Sequence, residues 1–260
     1  MIHLLSPAKS LDFSTEIDIE ESTVPKFLEE ASKLTNKLSK TSKKKLREMM
    51  SISEAIADLN VQRYQEWKGK ERGDEGARQA LFAFKGDVYL GLDAYSLSKP
   101  SVEYAQDHLL ILSGMYGALR PLDIIEPYRL EMGTSLKVGR ANNLYQYWKD
   151  RPTEMVNERL KNLGSDLLIN LASNEYFKVI NQKKIQAQIV SPEFKDAKNG
   201  KYKVISFFAK KARGYMSRFL IENKIERLDD LKAFDTAGYR YNQDMSTEFK
   251  PVFTREENQA

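Results

Sequence analysis

The sequence predicts a mixed α/β fold in a single domain, with a mixed β-sheet surrounded by helices. Three observations carry this. Short apolar runs at 2–6, 109–112 and 166–171 alternate with stretches of helical spacing. The pair Asn199-Gly200 stands between two strand-like runs, a hairpin signal that a purely parallel sheet does not contain. The chain of 260 residues has no repeat, low-complexity run or linker, so residues 1–260 read as one domain.

In order along the chain, Ile2 to Ser6 form a buried strand stopped by Pro7, with a loop to Asp12. Thr23 before Val24-Pro25 starts a helix in which Phe27, Leu28, Ala31, Leu34 and Leu38 share a face. Helices follow over 42–50 and 53–67. The polar loop 68–76, punctuated by Gly69, Gly73 and Gly76, is the expected mobile segment. Residues 77–84 read as helix, and 101–113 as a helix running into the strand Leu109 to Leu112. After a region dense in glycine and proline at 114–133, helices span 143–149 and 152–162, the second stopped by Gly164. Residues 166–171 are the clearest central strand, and Ser173 caps a short helix over 174–180. Ile185 to Phe194 pairs with Tyr202 to Phe208 across Lys198-Asn199-Gly200-Lys201. A helix over 209–223 and short strands near 239–241 and 249–254 complete the chain.

Composition narrows the chemistry. Hydrophobic residues make up 41% and charged residues 30%, an ordinary globular balance. There is no cysteine, which excludes disulfides, thiolate metal sites and a cysteine nucleophile, and fits a reducing compartment. Two histidines, His3 and His108, are too few for an imidazole zinc site, so no metal and no cofactor is expected. No run of 18 apolar residues is present and the N-terminal segment lacks a signal-peptide pattern, so the expected location is the cytoplasm, away from membrane.

The net charge of +4 is mild, but its distribution is uneven. Residues 16–30 hold six acids and one lysine, whereas residues 33–47 hold seven bases and no acid. Residues 197–221 hold another seven bases, Lys198, Lys201, Lys203, Lys210, Lys211, Arg213 and Arg218, and no acid. Acid-free basic blocks point to a polyanionic partner. The first block taken alone reads better as a solvated helix face balanced by the acidic block beside it.

Polar residues at strand ends mark crevices in α/β folds. Four segments qualify: Ser6-Pro7-Ala8-Lys9, Phe84-Lys85-Gly86-Asp87, Ser113 to Asp123 continuing to Pro127–Gly133, and Asn170 to Tyr176. They supply Lys9, Lys85, Arg120 and Arg129 as candidates for an anion pocket, and Glu131 and Glu175 as candidate acid–base residues. Each has a structural reading too: Arg129, Glu131 and Asp123 form an ion network, and Ser173 is a cap. No Ser/His/Asp spacing and no glycine-rich phosphate motif is present.

The segments Ser6–Asp12, Phe84–Tyr89, Leu112–Asp123, Pro127–Gly133, Leu144–Trp148, Ile169–Phe177 and Lys198–Phe219 closely resemble the YaaA family of peroxide-stress resistance proteins, in order and over nearly the whole chain. Ser10 and Asn174 stand where Thr and Asp are expected. The resemblance implies a protein that lowers free intracellular iron during hydrogen peroxide stress. It also implies DNA binding, a single-domain mixed fold with a positively charged cleft, and a helix-hairpin-helix-like element. Helix 42–50, the turn Ser51-Ile52-Ser53 and the next helix are the segment that corresponds to that element.

The resulting expectation is a cytoplasmic DNA-binding protein of the oxidative stress response. It grips double-stranded DNA largely independently of sequence through Lys43, Lys44, Lys45, Lys210, Lys211 and Arg213. The alternative is an enzyme whose cationic pocket takes a nucleotide, a nucleobase or DNA as substrate.

Overall fold

In the computed structural model, residues 1–73 and 76–257 are described. Strands β1 (Ile2–Leu5) and β2 (Ser10–Leu11) precede three helices, α1 (Leu28–Ser39), α2 (Lys43–Met50) and α3 (Glu54–Glu66). Next come β3 (Arg78–Gln79), α4 (Ala80–Ala83), β4 (Phe84–Lys85), α5 (Asp87–Leu92) and α6 (Lys99–His108). Strands β5 (Leu109–Ser113), β6 (Gly117–Leu119) and β7 (Ile124–Ile125) lead to α7 (Leu144–Trp148) and α8 (Arg151–Leu163). Then follow β8 (Leu167–Asn170), α9 (Asn174–Phe177), β9 (Gln188–Val190), β10 (Glu193–Lys198), β11 (Lys201–Lys203), α10 (Ser206–Glu222), β12 (Arg240–Tyr241) and β13 (Val252–Arg255).

The mixed α/β class expected from the sequence is present. The central sheet has the order β6-β5-β1-β8-β9. Strand β1 lies parallel to both β5 and β8, β8 lies parallel to β9, and only β6 runs antiparallel. All residues of β1, β5 and β8 are buried, which explains their unbroken apolar runs. A second sheet, β11-β10-β13-β12, and two ribbons, β2-β4 and β3-β7, complete the strands.

The hairpin forms at the expected turn, with Asn199 (φ 54°) and Gly200 (φ 70°) both left-handed, the pattern of a type I′ connection. Its strands differ from expectation. Gln188–Val190 joins the central sheet beside β8, and Ser206 already begins α10, so the paired strands are only Glu193–Lys198 and Lys201–Lys203. The hairpin thereby belongs to the second sheet.

Three other expectations are corrected. Thr23 does not start a helix: its hydroxyl donates to the buried carboxylate of Asp123 (2.7 Å), its backbone N–H donates to Leu122, and α1 begins at Leu28. Residues 77–84 are not one helix. Arg78–Gln79 pairs with Ile124–Ile125 and Phe84–Lys85 with Ser10–Leu11, leaving one helical turn between. The helix at 174–180 ends at Phe177, and the Ser173 hydroxyl makes no cap hydrogen bond.

In the polar loop 68–76, the backbone N–H groups of Lys68, Gly69 and Lys70 all donate to the buried Glu126 carboxylate at 2.7–2.9 Å, so this half of the loop is held. Positions 74 and 75 lie outside the described residues. No helix among the described residues is long and apolar enough to cross a membrane.

Candidate anion-binding cleft

The connection after β1 leads to one side of the sheet, toward β5, and that after β8 to the other, toward β9. The carboxyl ends of β1 and β8 therefore flank a topological switch point, where open α/β sheets form a crevice. A cleft of about 420 Å³ lies there, lined by residues that include Ser6, Lys9, Lys85, Glu131, Ser173, Glu175, Lys210 and Arg213. At its floor the Ser173 backbone N–H donates to the Ser6 hydroxyl (2.9 Å), which itself donates to Ser173 Oγ (3.3 Å). Tyr89 donates its hydroxyl to the Ser6 carbonyl (3.1 Å), and burial pushes its phenol well above the usual range.

Each charged side chain is placed by a distinct local cause. The β2–β4 ribbon pairs Ser10 with Lys85, which brings the segments of Lys9 and Lys85 together at the cleft wall. Lys9 lies 2.8 Å from Glu131, and Glu131 also accepts from Arg129 (3.1 Å). Gly114 lets the chain at 130–131 approach the end of β5, because a Cβ at Gly114 would lie 2.2 Å from the Leu130 carbonyl oxygen. Lys85 is 3.7 Å from Asp12, whose carboxyl is held well below the usual range by N–H donors from Ser14 and Thr15. Glu175 accepts from the Gly133 N–H (2.9 Å).

Lys210 and Arg213 reach the cleft from α10, which crosses α5 at Gly91 and Gly214. A Cβ at Gly91 would fall 2.1 Å from the Lys211 carbonyl oxygen, so only glycine permits this approach. Lys210 stands 4.0 Å from Asp87 at the start of α5. Arg213 is half-buried, and desolvation lowers its pKa. It makes no hydrogen bond or ion pair among the described residues, an unusual state for a guanidinium out of full contact with water.

The structure thus brings Lys9, Lys85, Glu131 and Glu175 together and joins Lys210 and Arg213 to them. Arg129 touches this group through Glu131. Arg120 lies elsewhere, ion-paired with the buried Asp123 at 3.3 Å, where burial raises the Asp123 pKa and Thr23 completes the cluster. Lys43 is held by Glu54 (2.8 Å) and Asp58 (2.9 Å), while Lys44 and Lys45 are exposed on α2. Lys211 turns its ammonium over the Tyr215 ring, 5.6 Å from the centroid. Between α2 and α3 the chain turns tightly, with Ser51 left-handed (φ 51°) and Ser53 capping α3.

Asp87 and Tyr176, the last residues of two segments singled out from sequence, and Tyr89 also line the cleft, though none of the three was a named site candidate. The spacing of Lys210 and Arg213, three apart on one helix, was the available signal that both face one place. Among the described residues no group of three or more His, Asp or Glu side chains is arranged to hold a metal ion. Both histidines are buried and engaged, His3 with Ser217 Oγ (2.9 Å) and His108 with the Met1 carbonyl (2.8 Å).

Fold and cleft together define an α/β protein with a crevice at its switch point lined by Lys9, Lys85, Lys210 and Arg213 and by the carboxylates of Asp87, Glu131 and Glu175. The chain belongs to the YaaA family: the family described as "Peroxide stress protein YaaA" matches residues 1–245. It is 52% identical to a UPF0246 protein of Marinomonas sp. (strain MWYL1) over 258 residues, 99% of this chain and 98% of the relative. A UPF0246 protein of Hahella chejuensis is 49% identical over 98% of this chain and 100% of its own, and one of Shewanella loihica 51% identical over 99% of each.

Proposed function

We propose that this protein acts in the cytoplasm during peroxide stress by binding duplex DNA through its phosphates, with little reading of base sequence. The cleft is the principal phosphate seat. The observation that carries this is Arg213, a half-buried guanidinium with no anionic partner among the described residues, beside Lys210, Lys9 and Lys85. A phosphate oxygen supplies the missing acceptor and offsets the desolvation of the cation. Lys44 and Lys45 on α2, with the tight α2–α3 turn in the role of the helix-hairpin-helix-like element, provide a second, more solvated contact.

A second reading is supported by the two carboxylates, Glu131 and Glu175, that share the cleft with the cations. It is acid–base chemistry on a nucleotide, nucleobase or DNA held by Lys85, Lys210 and Arg213. In either case the lowering of free iron is an indirect consequence of the protein's action, since its histidines are committed to internal hydrogen bonds.

Fluorescence anisotropy with a labelled duplex tests the reading. Lys210→Met with Arg213→Met is expected to weaken binding by about tenfold or more. Undiminished affinity in that double variant removes the cleft from DNA binding. Turnover of an added nucleotide, lost in Glu131→Gln or Glu175→Gln, favours the enzyme reading.

A further inference from the structure

The β10–β11 hairpin carries three lysines on one face. Lys198 stands directly opposite Lys201, and Asp196 opposite Lys203, so the alternation of a β-ladder places all four on the same side. It is the side on which α10 packs. The Arg255 guanidinium lies over the ring of Phe208 on α10 (4.6 Å to the centroid) and donates to Asp196 (2.7 Å). Phe219 of α10 meets Phe234, which packs against Phe194 on the same face of β10. Val204 and Ile205 alone separate β11 from the helix that brings Lys210 and Arg213 to the cleft.

The acids of the second sheet are engaged elsewhere. The Asp196 carboxylate accepts from Arg255 and from the Tyr239 hydroxyl (3.0 Å). Glu193 pairs with Lys195 (3.1 Å) and Lys250 (3.2 Å), and Glu256 accepts from the Tyr202 hydroxyl. Glu257, exposed beyond the end of β13, pairs with none of the three lysines, and the sequence after it brings no further acidic side chain. Lys198, Lys201 and Lys203 are exposed, and their ammonium groups make no ion pair or hydrogen bond among the described residues. Like charges directly opposite one another cost stability. The turn does not require them, since Asn199-Gly200 sets its geometry. A row of cations that the fold does not need, two residues of chain away from the helix that serves the cleft, suits a polyanion that lies across both.

We propose that this hairpin is a DNA-contacting arm, in which Lys198, Lys201 and Lys203 take backbone phosphates of the same duplex that is seated in the cleft. Lys201 and Lys203 are about 7 Å apart along the strand, the rise of two phosphates on one strand of B-form DNA. The arm lengthens the contact and adds affinity without base readout. The proposal rests on the reading of this protein as one that binds duplex DNA.

Fluorescence anisotropy with a labelled duplex over a range of salt tests it in four forms of the full chain. These are the parent, Arg213→Met, a hairpin triple (Lys198→Gln, Lys201→Gln and Lys203→Gln) and a control triple (Lys161→Gln, Lys183→Gln and Lys224→Gln) that removes the same charge from exposed positions elsewhere. The hairpin triple is expected to bind about tenfold or more weakly and to lower the slope of log affinity against log salt by about 2–3, whereas the control triple changes the slope by less than about 1. The hairpin triple should melt no lower than the parent, because opposed like charges are removed. Should it fail to fold, Lys201→Gln alone gives the same test with an expected slope loss of about 1. Equal slope losses in the two triples overturn the arm. Parental affinity in the hairpin triple, with binding weakened in Arg213→Met, overturns the arm and leaves the cleft. A parent without affinity for duplex DNA overturns both.

Discussion

Gly214 on α10 lies so close to α5 that a Cβ at this position would fall 1.9 Å from the carbonyl oxygen of Val88. This close approach fixes how far α10 stands from the start of α5, and so where Lys210 and Arg213 meet the loop ends of β1 and β4. Gly214→Ala is expected to cost about 2–3 kcal/mol, because backbone and not a flexible side chain must move. Urea denaturation reads this as a lower midpoint. An unchanged midpoint shows that the helices part without cost.

Lys9 and Lys85 are expected to behave differently from a structural ion pair. Their side chains are 62% and 63% exposed, and each faces one acid. Exposed pairs contribute about 0–1 kcal/mol, and Glu131 keeps Arg129 when Lys9 is removed. Lys9→Met and Lys85→Met should therefore melt close to the parent while losing protection of cells against peroxide. Strong destabilisation of both variants in thermal melts assigns them to the fold instead.

Acid should destabilise the protein before its carboxylates titrate. Burial lowers the His3 pKa from 6.5 to about 3, with the charge of His108 adding to the effect. Below pH 6.5 the unfolded chain binds a proton that the folded protein refuses, so stability falls as pH falls through this window. From pH 7 to pH 5 the loss from His3 is about 2 kcal/mol. His108, also lowered by burial, acts in the same direction. Urea unfolding at the two pH values measures it, and equal stabilities contradict it.

Much of this was legible in the sequence where local rules decide. The buried runs became β1, β5 and β8, Gly164 ended α8, and Asn199-Gly200 made its turn. Lys9, Lys85, Glu131 and Glu175, picked out because polar residues at strand ends face crevices, do share one cleft. What was hidden depended on distant partners. Thr23 and Arg120 are both claimed by Asp123, a buried charge whose neighbours no local pattern specifies. Residues 77–84 have helical spacing, but strand pairing with 124–125 and 10–11 outweighs it at both ends. The meeting of Lys210 and Arg213 with the cleft depends on a close crossing between glycines 123 positions apart.

The central claim is that Arg213 and Lys210 receive a DNA phosphate in the cleft. Its most direct measurement is the salt dependence of duplex binding in the parent, Arg213→Met and Lys44→Met. Taking one cation away from a phosphate lowers the steepness of log affinity against log salt by about 1. The parental slope is therefore predicted to be steep and to fall by about 1 in Arg213→Met, with a clear drop in affinity at every salt concentration and on every duplex sequence. A slope and affinity unchanged in Arg213→Met, with the whole effect appearing in Lys44→Met, would contradict the claim and place DNA on α2 alone.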